Sequence, residues 1–267
     1  MGRGNMGASS GSREPSPSST GLGPSGFDPA RKLRLIDMFA GIGGFSLGLH
    51  RTGGFETVAV AETDPYASKV LARHFPDAPN VGDVTTAEYP DADVIAAGFP
   101  CQDISLAGKG AGLAGARSGL WREVVRAIRM VRPLYATLEN VAALLGRGMG
   151  RVLGDLASLG YDAEWDCIPA FAVGALHYRD RTWIIAYPDT NGMRPQRLRP
   201  ASTGAWCKQQ FEGLVQDQIR LSLPAGRRSG ISDGVSGRVG QLKAYGNAVV
   251  PQIPELIGRA ILASEAA

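Results

Sequence analysis

The chain has 267 residues, 44% of them hydrophobic and 20% charged, and is therefore long enough for one large domain with a substantial core. Its three cysteines, Cys101, Cys167 and Cys207, form no CxxC pair and have no histidine at metal-ligand spacing, which argues against a disulfide framework and a metal site. No apolar run approaches the roughly 20 residues of a membrane span, and the N-terminus lacks the apolar segment of a signal peptide. We therefore expect a soluble protein of a reducing cytoplasm, with no membrane contact.

The net charge of +3 is too small to imply a nucleic-acid partner by itself, but it is unevenly distributed. Between Tyr187 and Gly240 there are eight basic and four acidic residues, so this segment alone carries +4. The excess fits either a solvated loop region or a surface that contacts phosphates.

Residues 1–31 are rich in Gly, Ser and Pro and poor in apolar residues, which predicts a disordered tail. From Leu33 onward, strand and helix patterns alternate, which favours an α/β fold with a mostly parallel sheet. The predicted strands cover 33–39, 57–62, 93–99, 135–140 and 182–188, and the predicted helices 45–53, 65–75, 120–133, 150–160 and 251–266. Regular patterning is absent from 188 to 240, where Gly, Pro, Arg and Gln dominate.

The glycine turn "AGIGG" follows the first strand and opens a helix, so its backbone amides can approach a polar ligand closely. Ser46 stands where a dinucleotide-binding fingerprint would have its third glycine, which weakens an NAD-binding interpretation. Glu62, at the end of the second strand, is placed to accept hydrogen bonds from ribose hydroxyls. Asp83 in "GDVT" is expected at the end of a third strand, where it suits an adenine amino group; the alternative is a helix-capping aspartate.

Cys101 lies just beyond the carboxyl end of a predicted strand, where open α/β sheets bind ligands. A structural, buried cysteine is the alternative to a nucleophile here. The glycine-rich segment after Cys101 has the composition of a mobile lid. Glu139 ends the next strand at the same sheet edge, as a general acid or as a surface carboxylate. In "HYRDR", alternation points Arg179 and Arg181 to one side, either into a site or along an exposed hairpin.

Seven blocks follow one another in the chain: "DMFAGIGGF", "AETDPYA", "GDVT", "GFPCQDIS", "ENV", "RDRTWIIA" and "YGNAVVPQI". As a set they resemble the S-adenosylmethionine-dependent cytosine-C5 DNA methyltransferases, of small bacterial or phage type. The resemblance implies a Rossmann-like methyltransferase fold with a mixed, mostly parallel sheet and a small irregular target recognition region. It divides the chain into the tail (1–31), a catalytic and cofactor-binding domain (32–187), a basic recognition region (188–240) and a C-terminal segment (241–267) that returns to the catalytic domain.

The resemblance also implies roles for individual residues. Cys101 would be the nucleophile that adds to C6 of a cytosine flipped out of duplex DNA, and Glu139 would contact the N3 edge of that base. Arg179 and Arg181 would orient the base. The implied contacts to S-adenosylmethionine come from Phe39, Gly41, Gly43, Glu62, Asp83, Pro100 and Asn247. We expect a monomer acting on DNA in a bacterial or phage-infected cell, with or without a companion restriction endonuclease.

Three features depart from the family pattern. His177 stands where the family usually has glutamine, the block before "YGNAVVPQI" supplies only Arg238, and the recognition region is short. Alternatives therefore stay open. They are an RNA (tRNA) cytosine-C5 methyltransferase, a non-catalytic DNA-binding regulator and, most remotely, an NAD-dependent oxidoreductase.

Overall fold

The computed structural model describes residues 1, 31–100, 119–175, 179–189 and 248–266. These residues form a six-stranded sheet with helices on both faces. The strands are β1 (Leu33–Met38), β2 (Phe55–Ala61), β3 (Val94–Gly98), β4 (Tyr135–Val141), β5 (Tyr161–Pro169) and β6 (Asp180–Pro188). The α-helices are α1 (Gly44–His50), α2 (Pro65–His74), α3 (Gly119–Val131), α4 (Leu144–Arg147), α5 (Met149–Ser158) and α6 (Gln252–Glu265), and a 3-10 turn covers Ala170–Val173.

The strand order is β2-β1-β3-β4-β6-β5. The first four strands run parallel, whereas β6 is antiparallel to both of its neighbours. The expected α/β fold with a mixed, mostly parallel sheet is therefore confirmed. Because parallel strands share one direction, the carboxyl ends of β1 to β4 and the start of β6 meet at one sheet edge.

Two apolar layers hold the helices against the sheet. On one face, α3 buries Trp121, Val124, Ala127 and Ile128, whose spacing places them on a single helical stripe. On the other face, α1 and α6 pack together over β1, β2 and β4. These layers are continuous clusters of buried apolar side chains, so the sheet edge is built on a rigid scaffold.

The close approach of α1 and α6 depends on a small residue. A Cβ atom at Gly48 would overlap the carbonyl oxygen of Pro251, at the start of α6. Only glycine lets the two backbones pass this closely. At the far end of α6, the Tyr135 hydroxyl donates a hydrogen bond of 2.7 Å to the buried Glu265 carboxyl.

One expectation from the sequence is wrong, and one strand of the sheet was missed. No strand ends at Asp83: the segment forms a turn, preceded by a single isolated bridge between Val60 and Asn80. The strand β5 was not predicted, because its charged and half-exposed side chains lack clear alternation. It lies at the edge of the described sheet, where charges discourage pairing with another chain. Among the described residues, no helix is long and apolar enough to cross a membrane.

Candidate active site

The strand register brings the block "GFPCQDIS" next to the block "ENV". Gly98, the last residue of β3, pairs with Glu139 of β4, and Val141 pairs with Arg181 of β6. A methyl group at Gly98 would lie 3.6 Å from Glu139 Oε2 and 3.8 Å from Val249 Cγ2. The carboxylate of "ENV", the end of the strand that leads to Cys101, and the C-terminal block therefore meet at one point.

Glu139 is a buried acid held by a guanidinium group. Its Oε1 lies 2.9 Å from Arg181 Nε, and the two side chains are 11% and 23% exposed. Burial raises the pKa of the Glu139 carboxyl, while Arg181 and, less strongly, Arg179 oppose the rise. Burial also lowers the pKa of Arg179, and the neighbouring Arg181 adds to this. Arg181 thus contacts Glu139 directly, and Arg179 lies near enough to influence the same carboxyl.

The backbone that leads to Cys101 is held from β4 and from α3. Asn140 donates a hydrogen bond of 3.0 Å from Nδ2 to the carbonyl of Phe99. The Phe99 ring packs against Trp121, with 4.9 Å between ring centroids. Pro100 follows and is exposed. Cys101 itself, and the predicted lid after it, lie outside the described residues.

The glycine turn adopts an unusual backbone conformation. Phe39 has a φ of 55°, in the left-handed region that side-chain-bearing residues rarely occupy, and Gly41 and Gly43 also have positive φ. Strain of this kind persists only where surrounding contacts fix it. The turn leads directly into α1, and within it the Gly43 amide donates a hydrogen bond of 2.8 Å to the Ala40 carbonyl.

A buried carboxyl fixes the turn from inside. Asp37 Oδ2 accepts hydrogen bonds from the Ser46 amide (3.1 Å) and hydroxyl (2.7 Å). Gly43, at the start of α1, has no side chain to cap the helix, and Asp37 supplies that contact from β1. Burial raises the pKa of Asp37 to about 7, although the two bonds from Ser46 oppose the rise.

A second carboxylate fixes the same turn from outside. Glu62 Oε2 accepts a 2.7 Å hydrogen bond from the Gly41 amide, and Oε1 accepts one of 2.7 Å from the Asp64 amide. Each carboxylate oxygen can accept a further bond, so Glu62 retains capacity for hydroxyl donors. Because it is half-buried, one side of Glu62 faces solvent.

Asp83 is exposed at the head of a tight turn. Its Oδ1 accepts 2.8 Å hydrogen bonds from both the amide and the hydroxyl of Thr85. These bonds lower the pKa of the Asp83 carboxyl, the backbone amide having the larger effect. The carboxylate is therefore ionised and oriented by its own turn, as in a capping arrangement, yet it also remains open to a ligand.

Of the predicted site residues, the described part of the chain includes Phe39, Gly41, Gly43, Glu62, Asp83, Pro100, Glu139, Arg179 and Arg181. Cys101, His177, Asn247 and Arg238 lie outside it, as does almost all of the segment 188–240. Two residues with a clear place at this edge were not singled out from the sequence, namely Asp37 and Asn140. Asp37 stands in "DMFAGIGGF", two residues before Phe39, and Asn140 stands in "ENV", directly after Glu139. Their closeness to predicted site residues was the signal that could have identified them.

The edge carries two chemically different groups of side chains. At the β4 and β6 end, a buried acid with a raised pKa and two guanidinium groups can donate to or stabilise a polar heterocycle. At the β1 and β2 end, backbone amides and carboxylates suit hydroxyl and amino groups. No group of three potential metal ligands occurs among the residues that the structure describes.

Comparison with known proteins gives a consistent family. A model of C-5 cytosine-specific DNA methylases matches residues 33–219. The chain is 35% identical over 171 residues to the type II methyltransferase M.HgiCII of Herpetosiphon aurantiacus, covering 61% of this chain and 39% of that protein. It is 37% identical over 163 residues to M1.ScrFI of Lactococcus lactis subsp. cremoris, covering 58% and 42%. The match thus spans less than half the length of these relatives.

Solved structures show the same fold. A putative DNA modification methyltransferase from an Escherichia coli prophage superposes with a TM-score of 0.50 at 24% identity, covering 61% of this chain and 49% of that one. A DNMT2 variant from Spodoptera frugiperda superposes with a TM-score of 0.60 at 12% identity, covering 86% and 99%. These identities support a shared fold and nothing finer.

Proposed function

The chain belongs to the C-5 cytosine-specific DNA methylase family, and we propose that it transfers a methyl group from S-adenosylmethionine to C5 of a cytosine in duplex DNA. The observation that carries this proposal is the buried Glu139–Arg181 pair, set opposite the end of the strand that leads to Cys101. A buried acid beside a nucleophile and guanidinium groups is the set that addition to a cytosine ring requires.

The residues at the β1 and β2 end fit an adenosyl group. Gly41 has open space around it, Glu62 keeps acceptor capacity, and the exposed Asp83 presents an ionised carboxylate. We assign Glu62 to the ribose hydroxyls and Asp83 to the adenine amino group. Phe39, Gly43, Pro100 and Asn247 would complete the contacts. When bound, S-adenosylmethionine supplies an electrophilic methyl group.

At the other end, the proposed chemistry begins with the Cys101 thiolate. It forms a bond to C6 of the cytosine, and the electron pair of the C5–C6 double bond shifts into the ring toward N3. Glu139, whose pKa burial raises, donates a hydrogen bond or proton at N3 and so neutralises the developing charge. Arg179 and Arg181 orient the base. Once C5 carries the methyl group, a base removes the C5 proton, the C5–C6 double bond re-forms as the C6–S bond breaks to release the Cys101 thiolate, and the proton at N3 returns to Glu139.

The target atoms are stacked inside a duplex, so the base must leave the helix to reach Cys101. We assign catalysis and cofactor binding to residues 32–187 and DNA recognition to the basic region 188–240, with 1–31 as a tail and 241–267 returning to the catalytic domain. We expect a monomer in the bacterial cytoplasm, where its DNA substrate lies. A companion restriction endonuclease is compatible with this activity.

The test uses duplex DNA that carries 5-fluorocytosine in many sequence contexts, with S-adenosylmethionine present. Fluorine at C5 blocks the final elimination, so the covalent complex accumulates and survives denaturing electrophoresis. We expect a shifted band with the wild-type protein and none with Cys101→Ala. Sequencing the trapped DNA would give the recognition site.

A parallel reaction with tRNA that carries the same fluorinated base tests the RNA alternative. A band with tRNA alone would contradict the DNA proposal. Absence of any band from folded protein that binds S-adenosylhomocysteine would favour a non-catalytic, DNA-binding role.

A further inference from the structure

Arg126, in the middle of α3, holds the turn that carries Asp83. Its Nη2 donates a 2.6 Å hydrogen bond to the carbonyl of Val84, and both Nη atoms lie 3.3 Å from the carbonyl of Ala87. Its Nε donates to Glu123 Oε2 at 2.6 Å, one helical turn earlier. A planar guanidinium with donors fixed at both ends is thereby oriented before it meets the turn.

The turn belongs to no strand, and Arg126 attaches it to α3, while the Val81 amide just before it donates to the Val60 carbonyl of β2. Asp83 accepts hydrogen bonds from the amides of Thr86 and Ala87 through its carbonyl, and from Thr85 through its side chain. These bonds close the turn upon itself but do not attach it to the sheet. Val84 and Ala87 are buried, Val84 in the same apolar cluster as α3, while Asp83 is exposed to solvent. Arg126 thus fixes the inner side of a turn whose outer side faces solvent.

The same helix contacts the approach to Cys101. Trp121, five residues before Arg126, packs against Phe99 and donates from Nε1 to Asp155 Oδ2 at 2.7 Å. One rigid helix therefore contacts both the strand end that leads to the proposed nucleophile and the turn that carries the proposed adenine ligand.

We propose that Arg126 is a positioning residue for cofactor recognition: by holding the carbonyls of Val84 and Ala87, it sets where Asp83 meets the adenine amino group. The inference rests on the proposed function, and it adds a residue that makes no contact with the cofactor itself. It predicts that Arg126 matters only for ligands that carry an amino group for Asp83 to bind.

The experiment measures binding of S-adenosylhomocysteine and of S-inosylhomocysteine, which has an oxygen in place of that amino group, by titration calorimetry. We expect Arg126→Met to weaken S-adenosylhomocysteine binding about tenfold, the value of one well-placed hydrogen bond to a charged group. It should change S-inosylhomocysteine binding less than twofold. In Asp83→Ala protein, adding Arg126→Met should have little further effect, because the two residues act through one contact.

Arg129→Met is the matched control, since it makes the same chemical change at an exposed position of the same helix. Turnover at saturating S-adenosylmethionine should stay within twofold of wild type for both variants. If Arg126→Met fails to fold, two milder variants provide the same comparison. Arg126→Lys keeps the charge but cannot bond Glu123 and the turn carbonyls at once, and Glu123→Gln removes the charged partner of Arg126. Both should weaken S-adenosylhomocysteine binding less than Arg126→Met does.

Equal weakening for both ligands, or additive losses with Asp83→Ala, would overturn the inference and leave Arg126 as a residue that only supports the fold. If wild-type protein binds S-adenosylhomocysteine well and Arg126→Met binds it equally well, the inference is overturned too. Wild-type protein that binds neither ligand would instead contradict the proposed function, on which the inference rests.

Discussion

The two ends of the site hold their carboxyl groups in different ways. At the β1 and β2 end, Glu62, Asp83 and Asp37 accept hydrogen bonds from backbone amides. At the β4 and β6 end, Glu139 is held by the side chain of Arg181. Backbone amides are placed by the fold and cannot rotate away, whereas a guanidinium group can move. The first end is therefore suited to holding a ligand in a fixed position, and the second to chemistry in which charge changes.

Burial modifies this contrast. Asp83 is exposed, and its hydrogen bonds lower its pKa. Asp37 is also held by an amide, but complete burial raises its pKa to about 7. Glu139 has two guanidinium neighbours and still has a raised pKa, because burial is the stronger effect. The hydrogen-bond partners of each carboxyl group fix its position, while the extent of its burial decides whether it is protonated.

The largest expected effect comes from Glu139→Gln. The amide cannot deliver a proton and leaves Arg181 without its carboxylate, so we expect turnover to fall by about 10²- to 10⁴-fold. The measurement is transfer of labelled methyl groups to duplex DNA. Binding of S-adenosylhomocysteine should stay within threefold of wild type, because the β1 and β2 end is untouched. If the variant lost methyl transfer and S-adenosylhomocysteine binding to the same extent, the two ends of the site would not act separately.

A smaller effect is expected from Glu62→Gln at the other end. Both carboxylate oxygens face amide donors, so the NH₂ group of glutamine must oppose either Gly41 or Asp64. We expect S-adenosylhomocysteine binding to weaken about tenfold, with turnover at saturating cofactor nearly unchanged. Glu56→Gln, at an exposed position of β2, is the matched control. Loss of turnover without loss of affinity would contradict the division between the two ends.

The smallest effect concerns stability and Asp37. Burial raises its pKa from the ordinary 3.8 to about 7 in the folded protein, so its contribution to stability is fully present below about pH 4 and is lost as the pH rises through 7. Asparagine does not titrate. Between pH 5 and 7, the free energy of unfolding of Asp37→Asn should therefore fall by about 2 kcal/mol less than that of wild type.

Urea unfolding at several pH values measures this difference. Ser46→Ala is the control, because it removes one hydrogen bond to Asp37 but keeps the titrating group. It should lower stability by about 1 kcal/mol without flattening the pH dependence. Parallel pH curves for wild type and Asp37→Asn would mean that Asp37 is ionised in the folded protein.

The sequence predicts most of the scaffold because its strands and helices carry strong local signals. The apolar run around Ile95 predicts only a buried strand, and the apolar stripe that includes Trp121 predicts only an amphipathic helix. The edge strand β5 has no such pattern, because it is held in the sheet by pairing with a single strand, β6. The sequence interpretation placed Asp83 at the end of a third strand, but its turn is set by hydrogen bonds with Thr85 that no periodicity reveals.

At the site, the residues that were predicted are those with a reactive or charged group at a strand end, such as Glu62 and Glu139. The supporting residues were missed. Asp37 falls inside an apolar strand pattern, and its partner Ser46 was interpreted only as a missing glycine. Arg126 looks like an ordinary basic residue on a surface helix. Their roles depend on contacts between distant segments, which a single sequence does not display.

The packing of α6 on α1 has a consequence for synthesis. The two helices lie at opposite ends of the described chain, and together they complete one apolar layer around Leu49 and Phe55. At typical translation rates, α1 leaves the ribosome on the order of ten seconds or more before α6. Throughout that interval the apolar face of the nascent β1–α1 unit lacks its cover. In the growing chain this apolar surface therefore stays exposed until α6 has been synthesised.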